Sequence, residues 1–180
     1  MVNVYIAMNI VDHDVMAKLA AKQLLASQQV TGDFEPPEAF HVTLDYLGEI
    51  STDDVVKVID AVKYVEANAK QLDIAGRYVY ARDVHRFDMG AMWFGMDQCM
   101  VLYRIHHALL EAMKSLGLDH RKDDFDGYTP HITIAYGTPD QSVDIGSDVV
   151  AVPVNNITVW DSSVKCSNVY MANSLYMAKL

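Results

Sequence analysis

The chain contains little cysteine, little proline and few basic residues, and it has no long hydrophobic run. Its two cysteines, Cys99 and Cys166, show neither a metal-site nor a disulfide spacing, so we expect a reducing, cytoplasmic compartment. No stretch approaches the roughly 20 apolar residues of a membrane-spanning helix, so no membrane association is expected. The first residues, MVNVYIAMNIVDHD, lack the basic start and the cleavage site of a signal peptide and favour a first strand.

Acidic residues outnumber basic ones. The 14 Lys and Arg stand against 24 Asp and Glu, which gives a net charge of −10. Proteins that hold a long nucleic-acid backbone usually present a broad basic face to it. The charge therefore disfavours long nucleic acids as partners. Any phosphate-bearing partner is expected to be a small nucleotide or a short oligonucleotide.

The hydrophobic pattern predicts a single domain over residues 1–180 that mixes strands and helices. The hydrophobic fraction of 51% is that of an ordinary globular protein, and no linker or low-complexity tract divides the chain. We expect a monomer. β-prone segments predict strands, and helical spacing with capping residues predicts helices. The predicted strands are 2–10, 41–50, 72–82, 91–96, 131–137, 156–161 and 173–179; the predicted helices run from Asp12 or Asp14 to about Gln28, from Ser51 onward, and from about Gln98 to Leu116; polar loops are predicted at 31–40 and 82–90.

One short motif occurs twice, as HVTL at residues 41–44 and as HITI at residues 131–134. Side chains alternate between the two faces of a strand, so His41 and Thr43 share one face, as do His131 and Thr133. The intervening apolar residues face the core. A polar pair placed twice on the opposite face is best explained by a shared groove, because burying polar groups without partners is costly.

Two histidines across a groove suit general acid–base catalysis. An imidazole with an ordinary pKa near 6.5 can accept a proton while its counterpart donates one. Two hydroxyl groups beside them suit the non-bridging oxygens of a phosphate. A cationic imidazole and hydroxyl donors can stabilise the developing charge, so this chemistry requires neither a metal nor a cofactor.

The segments PPEAFHVTLDYLGEI and YTPHITIAYG resemble the two signature motifs of the 2H phosphoesterase superfamily, and most closely its LigT-like RNA 2′,3′-cyclic phosphodiesterases, long labelled 2′-5′ RNA ligases. The resemblance spans nearly the whole chain. It implies an α+β fold of two pseudo-symmetric lobes, with antiparallel sheets lining a central cleft and helices outside. It also implies that His41 and His131 are catalytic and that Thr43 and Thr133 bind the substrate phosphate.

The chain departs from the bacterial members in the second motif. These often have Arg immediately before Pro-His, where this chain has Thr129. A phosphate-neutralising cation must then come from elsewhere. The candidates are Arg82, Arg86, Arg121 and Lys122, of which Arg86 and Arg121 are retained as possible substrate-binding residues.

Aromatic and histidine residues outside the motif provide further candidates. Tyr5, on the first strand, is expected to border the cleft together with Asn9. Of the neighbours Trp93 and Phe94, only one can face the groove, and Trp93 is the candidate for substrate contact. The other expectations are core positions for Tyr46 and Tyr136, a place on the His41 face for Asp45, a solvated loop for His85, and a surface pair for His106 and His107.

The sequence thus predicts a metal-independent phosphodiesterase acting on a nucleotide in which a ribose 2′-oxygen takes part. The candidate substrates are a 2′,3′-cyclic phosphate, a 2′-5′ linkage, and a cyclic di- or oligonucleotide. Viral members of the superfamily degrade host immune signals of the last two kinds, and this role is one hypothesis for the chain. The alternatives are a non-catalytic module that sequesters a nucleotide in the same cleft, and a structural protein whose histidines are satisfied inside the fold.

Overall fold

A computed structural model describes residues 1–118, 127–162 and 174–180, which form one nine-stranded antiparallel sheet and three α-helices. The main path of the sheet has the order β7-β4-β5-β6-β3-β1-β8-β9, and β2 pairs with β6 beside it. None of the helices in these ranges is long and apolar enough to cross a membrane. The elements are β1 Val2–Asn9, α1 His13–Ser27, β2 Asp33–Phe34, β3 His41–Ile50, α2 Thr52–Ala67, β4 Tyr78–Arg86, β5 Met92–Asp97, α3 Met100–Ser115, β6 His131–Tyr136, β7 Val150–Pro153, β8 Asn156–Asp161 and β9 Ser174–Lys179.

The helices begin and end where the capping signals predict. The carboxylate of Asp12 accepts hydrogen bonds from the first backbone N–H groups of α1. Ser51 caps α2 by accepting from the N–H of Asp54, and its hydroxyl donates to the carboxylate of the same residue. Gly117 follows α3 with a φ of 74°, the left-handed conformation that commonly ends a helix.

The fourth strand lies further along the chain than predicted. Asp73 and Gly76 both have positive φ angles, so the chain turns there and extends only from Tyr78. His85 and Arg86 therefore belong to β4, and the prediction of a loop at these positions was wrong. The short strands β2 and β7 were also not predicted from the sequence.

The two faces of the sheet differ in character. Val4, Ile6 and Met8 of β1 are fully buried, and they share one hydrophobic core with apolar residues of all three helices. Tyr5 and Ala7 point to the opposite face, where they form a separate small cluster with Trp160. We call this opposite face, which also carries the His and Thr of both motifs, the groove face.

The two motif strands, β3 and β6, are neighbours at the centre of the sheet. Their ladder consists of a single pair, Val42 with Ile132. In this antiparallel register the next positions outward are Leu44 opposite Pro130 and Ile134 opposite Phe40. Pro130 has no backbone N–H to donate, and the N–H of Phe40 donates to the carbonyl of Pro37. Backbone pairing therefore stops, and each strand runs on past the end of the other.

Two similar β-α-β units meet at this point, with α1 between β1 and β3 and α3 between β5 and β6. The sheet curls around the groove face, and the helices cover the outside. This arrangement confirms the predicted α+β fold, with two related lobes of antiparallel sheet lining a cleft.

Candidate active site

The structure brings the four motif residues together around one point. Val42 and Ile132 are completely buried and form the only pair between β3 and β6 in the described residues. By the antiparallel register, the residues on either side of this pair fall opposite each other on the groove face: His41 beside Thr133, and Thr43 beside His131. Diagonal neighbours in such a ladder lie about 7–8 Å apart. The two histidines occupy this diagonal, a separation that a phosphate group can bridge.

Both imidazole rings are held in the same way. Nδ1 of His41 lies 2.8 Å from the carbonyl oxygen of Ala39, and Nδ1 of His131 lies 2.7 Å from that of Thr129. Because a carbonyl oxygen only accepts, Nδ1 must carry the proton and donate in each case. The nitrogen that takes up or releases a proton is then Nε2. A carbonyl two residues earlier thus fixes the tautomer of each histidine in the same way.

The surroundings of the two histidines lower their pKa values. Burial lowers the pKa of His41, although its hydrogen bond to Ala39 acts in the opposite direction, and the charge of His131 lowers this pKa further. Burial also lowers the pKa of His131, against the hydrogen bond to Thr129. Repulsion between two charged imidazoles is mutual and disfavours protonation of both. Burial is deeper at His41 than at His131, so a single proton on the pair is expected on His131.

Aromatic rings flank each histidine. The ring of Tyr5 lies 5.6 Å from that of His41, and the indole of Trp160 stacks behind Tyr5 at 6.3 Å. On the other side, Trp93 lies 5.4 Å from His131 between ring centroids. Tyr5 and Trp93 thus lie against the two motif histidines, and Phe94 is fully buried in the core as its alternation with Trp93 requires.

The aromatic wall beside His131 continues from Trp93 onto β4 and the residue that follows it. His85 and Phe87 both stack on Trp93, with centroids 4.7 Å and 4.9 Å away, and the edge of Phe87 contacts His131 at 5.1 Å. Gly95 makes room for this arrangement, because an added Cβ there would come within 2.7 Å of the His85 ring. His85 is exposed, as predicted, but it lies on a strand as part of this aromatic wall and not in a loop.

Both motif strands contain a β-bulge at the same place. The pairing of β3 with β1 passes from Thr43 to Asp45 and skips Leu44. The pairing of β6 with β5 passes from Thr133 to Ala135 and skips Ile134. A bulge adds one residue to one strand, so the side chains after it change faces.

The bulges explain why the core prediction for the two matched tyrosines was wrong. Tyr46 pairs with Tyr5 on the groove face and is 59% exposed, and Tyr136 is 49% exposed. Tyr136 hydrogen-bonds the side chain of Thr133, while burial and the nearby carboxylate of Glu35 raise the pKa of its phenol. The tyrosine recurs at the same position in both motifs, and this repetition was the signal that could have identified these groove residues. Strict alternation along each strand, which takes no account of the bulges, assigned them to the core face instead.

The same bulge moves Asp45 away from the histidines. Asp45 pairs with Ile6, whose side chain lies in the core, and its charge acts on the phenol of Tyr128 rather than on His41. The prediction that Asp45 shares the face of His41 was therefore wrong.

The two basic candidates within the described residues differ in position: Arg82 lines a pocket with Trp93, Thr129 and Pro130 beside the second motif, and Arg86 does not. Arg86 pairs with buried Met92 and so points away from the groove face; its guanidinium donates to the hydroxyl of Thr138 and to the carbonyl of Gln141. This placement does not support substrate contact by Arg86. Arg82 forms an ion pair with Asp97 at 2.9 Å. The remaining candidates, Arg121 and Lys122, lie outside the described residues.

Comparison with solved structures identifies the fold. The chain is similar to Escherichia coli LigT complexed with 3′-AMP, with 17% identity, a TM-score of 0.69 and coverage of 99% of this chain and 97% of LigT. It is similar to TT0787 of Thermus thermophilus, with 15% identity, a TM-score of 0.74 and coverage of 99% and 97%. The MHV ns2 PDE domain matches with 14% identity, a TM-score of 0.65 and coverage of 99% of each chain.

These likenesses show that the chain has the LigT-like 2H phosphoesterase fold. No family model matches the sequence, and no curated protein matches it significantly. LigT has also been solved with phosphate, with ATP and with NADP+.

Proposed function

We propose that this protein is a metal-independent phosphodiesterase that acts on a nucleotide phosphodiester involving a ribose 2′-oxygen. The observation that carries the proposal is the matched tautomer of two histidines on neighbouring strands. Each histidine donates from Nδ1 to a carbonyl two residues earlier, so its Nε2 is the nitrogen that accepts or releases a proton. One such nitrogen can act as base while the other acts as acid.

The asymmetry of the pair assigns the two roles. Burial is deeper at His41 than at His131 and disfavours the charged form there more strongly, so His41 is the neutral base and His131 the protonated acid. For a 2′,3′-cyclic phosphate, His41 takes a proton from water and the water oxygen bonds to phosphorus. The bond from phosphorus to one ribose oxygen breaks, and that oxygen takes the proton of His131. Proton exchange with solvent restores the starting state.

The threonine hydroxyls hold the phosphoryl group in this mechanism. Thr43 and Thr133 donate to its non-bridging oxygens, where negative charge increases in the transition state. Replacement of Thr43 by Val should lower kcat/KM by about 10- to 150-fold, the value of one hydrogen bond to a charged group. Thr43→Ser keeps the hydroxyl and is the matched control.

Three observations favour a small nucleotide as substrate. Tyr5 and Trp93 offer aromatic surfaces on the two sides of the histidine pair, where bases can stack. The net charge of −10 opposes a long nucleic-acid backbone. LigT, which shares the fold, was solved with 3′-AMP bound. Within this class we include 2′-5′-linked and cyclic oligonucleotides, so degradation of immune signals of these kinds is part of the proposal.

The test is product analysis by chromatography in excess EDTA. The panel contains 2′,3′-cyclic nucleotides, 2′-5′- and 3′-5′-linked dinucleotides, and cyclic dinucleotides. We expect cleavage of at least one member, and a loss of about 100-fold or more in His41→Ala and in His131→Ala. His107→Ala, at an exposed position on α3, is the matched control and should keep full activity.

Two results would contradict the mechanism: activity that disappears with EDTA, or activity that survives in both single variants. Saturable binding of one ligand without any product would favour a module that sequesters nucleotides.

A further inference from the structure

The backbone carbonyls of Leu44 and Ile134 receive no hydrogen bond from the facing motif strand, because the ladder between β3 and β6 stops before them. Pro130 cannot donate to the carbonyl of Leu44, and the N–H of Phe40 is engaged with Pro37 and does not reach Ile134. Leu44 and Ile134 are also the skipped residues of the two matched bulges, each three positions after a motif histidine. Both residues are completely buried, so their carbonyls need donors from within the protein.

In the first lobe the donor comes from α3. Nδ1 of His106 lies 2.7 Å from the carbonyl oxygen of Leu44, so His106 donates to it. Its ring also stacks on Tyr128, with a centroid separation of 4.3 Å. His106 is thus partly buried and directed into the fold. Its ring lies 5.8 Å from that of His107, so the two form the predicted pair, but of the two only His107 is exposed.

In the second lobe the donor comes from α1. Gln23 is only 8% exposed, and its Nε2 donates to the carbonyl of Ile134 at 2.9 Å and to that of Glu35 at 2.6 Å. The N–H of Glu35 also donates to Ile134, at 2.9 Å. Each of these two helices therefore contributes one side chain to the bulge of the other unit's motif strand: α3, which precedes β6, contacts β3, and α1, which precedes β3, contacts β6.

We propose that His106 and Gln23 are positioning residues for the proposed phosphodiesterase reaction. Each fixes the course of one motif strand just beyond the Val42–Ile132 pair, where β3 and β6 no longer pair with each other. The two strands carry the histidines on opposite sides of that pair. The two helix donors thereby set the distance between the imidazoles. A misplacement of about 1 Å in an active site can lower the rate by about 100-fold.

Two substitutions of His106 separate the hydrogen bond from ring packing. His106→Asn keeps a donor at the position of Nδ1 and loses the ring, whereas His106→Phe keeps a ring against Tyr128 and loses the donor. We expect His106→Phe to lower kcat by about 10- to 100-fold with KM changed less than threefold, and His106→Asn to stay within about threefold of the original chain. Gln23→Met, of similar size and without a donor, should behave like His106→Phe. His107→Phe is the matched control on the same helix and should leave kcat unchanged.

A second readout needs no substrate. NMR titration of the imidazoles reports the pKa of His41, which burial and the charge of His131 lower in the intact chain. Separation of the two strands should raise this pKa in His106→Phe and in Gln23→Met, but not in His106→Asn. If the intact chain cleaves nothing, the proposed function fails while this titration still decides the positioning role.

Either of two results overturns the inference. One is a His106→Phe variant that keeps kcat and the pKa of His41. The other is a His106→Asn variant that loses as much as His106→Phe, since the ring and not the donor would then matter. If His106→Phe does not fold, the pair Gln23→Met and His106→Asn gives the same decision.

Discussion

Asn9 should be among the most costly residues to replace on the wall of the groove beside His41. It pairs with His41 across β1 and β3. Its side-chain Nδ2 donates to the hydroxyl of Thr158 at 2.7 Å, and its Oδ1 accepts from the indole N–H of Trp160 at 3.1 Å. Thr158 and Trp160 are 0% and 2% exposed, so water cannot replace the amide as their partner.

The expected magnitude follows from these two contacts. Asn9→Leu keeps the size of the side chain and removes both the donor and the acceptor. Each buried polar group left without a partner costs about 1–3 kcal/mol. The free energy of unfolding should therefore fall by about 2–6 kcal/mol, a large part of the roughly 5–15 kcal/mol of a typical domain. Urea denaturation followed by circular dichroism measures this difference.

The background Trp160→Phe provides the control. It removes the indole N–H, so the same Asn9→Leu change should cost about 1–3 kcal/mol less there than in the intact chain. A loss below about 0.5 kcal/mol for Asn9→Leu, the range of an ordinary surface substitution, or an equal loss in both backgrounds, would refute the reasoning that these hydrogen bonds stabilise the wall.

Three further outcomes are expected. Replacement of His131 by Asn keeps a donor to the carbonyl of Thr129 but removes the charge, so the pKa of His41 measured by NMR should rise. An unchanged or lower pKa would contradict the electrostatic interaction between the two histidines. Because both histidines have a pKa lowered by burial, the unfolded chain takes up protons first as the pH falls. The contribution of the two neutral histidines to the free energy of unfolding should then be complete above pH 6.5. It should decrease as the pH falls from there through the lowered pKa values, and urea titrations at several pH values would show this. Gly95→Ala should displace the exposed His85 ring from Trp93 and cost about 0.5–1.5 kcal/mol, the value of one aromatic stack, and a second change, His85→Ala, should leave almost no cost for Gly95→Ala in the same denaturation assay.

The sequence predicted the parts of the fold that depend on local signals. Asp12 and Ser51 are capping residues whose hydrogen bonds involve only their own helix, so both helix starts could be placed from the sequence. The alternation of β1 likewise assigned Tyr5 to the groove face. The repeated His and Thr placed the centre of the candidate site, because residues two apart in a strand share a face until a bulge intervenes.

The features missed depend on contacts between distant segments. The bulges at Leu44 and Ile134 arise from pairing with other strands, and no local pattern marks them. The faces of Tyr46 and Tyr136 follow from those bulges and were missed with them. His106 contacts a carbonyl 62 positions earlier in the chain, so its spacing on α3 gives no indication of its partner.

The single pair between β3 and β6 has a mechanical consequence. It forms a seam that divides the sheet into two halves, β7-β4-β5-β6 with β2 on one side and β3-β1-β8-β9 on the other. With one pair in the ladder, backbone hydrogen bonds resist bending less along this line than where longer ladders join the strands. The seam passes beneath His41 and His131. The width of the cleft therefore depends on side-chain packing and on the helix contacts of His106 and Gln23 more than on backbone pairing.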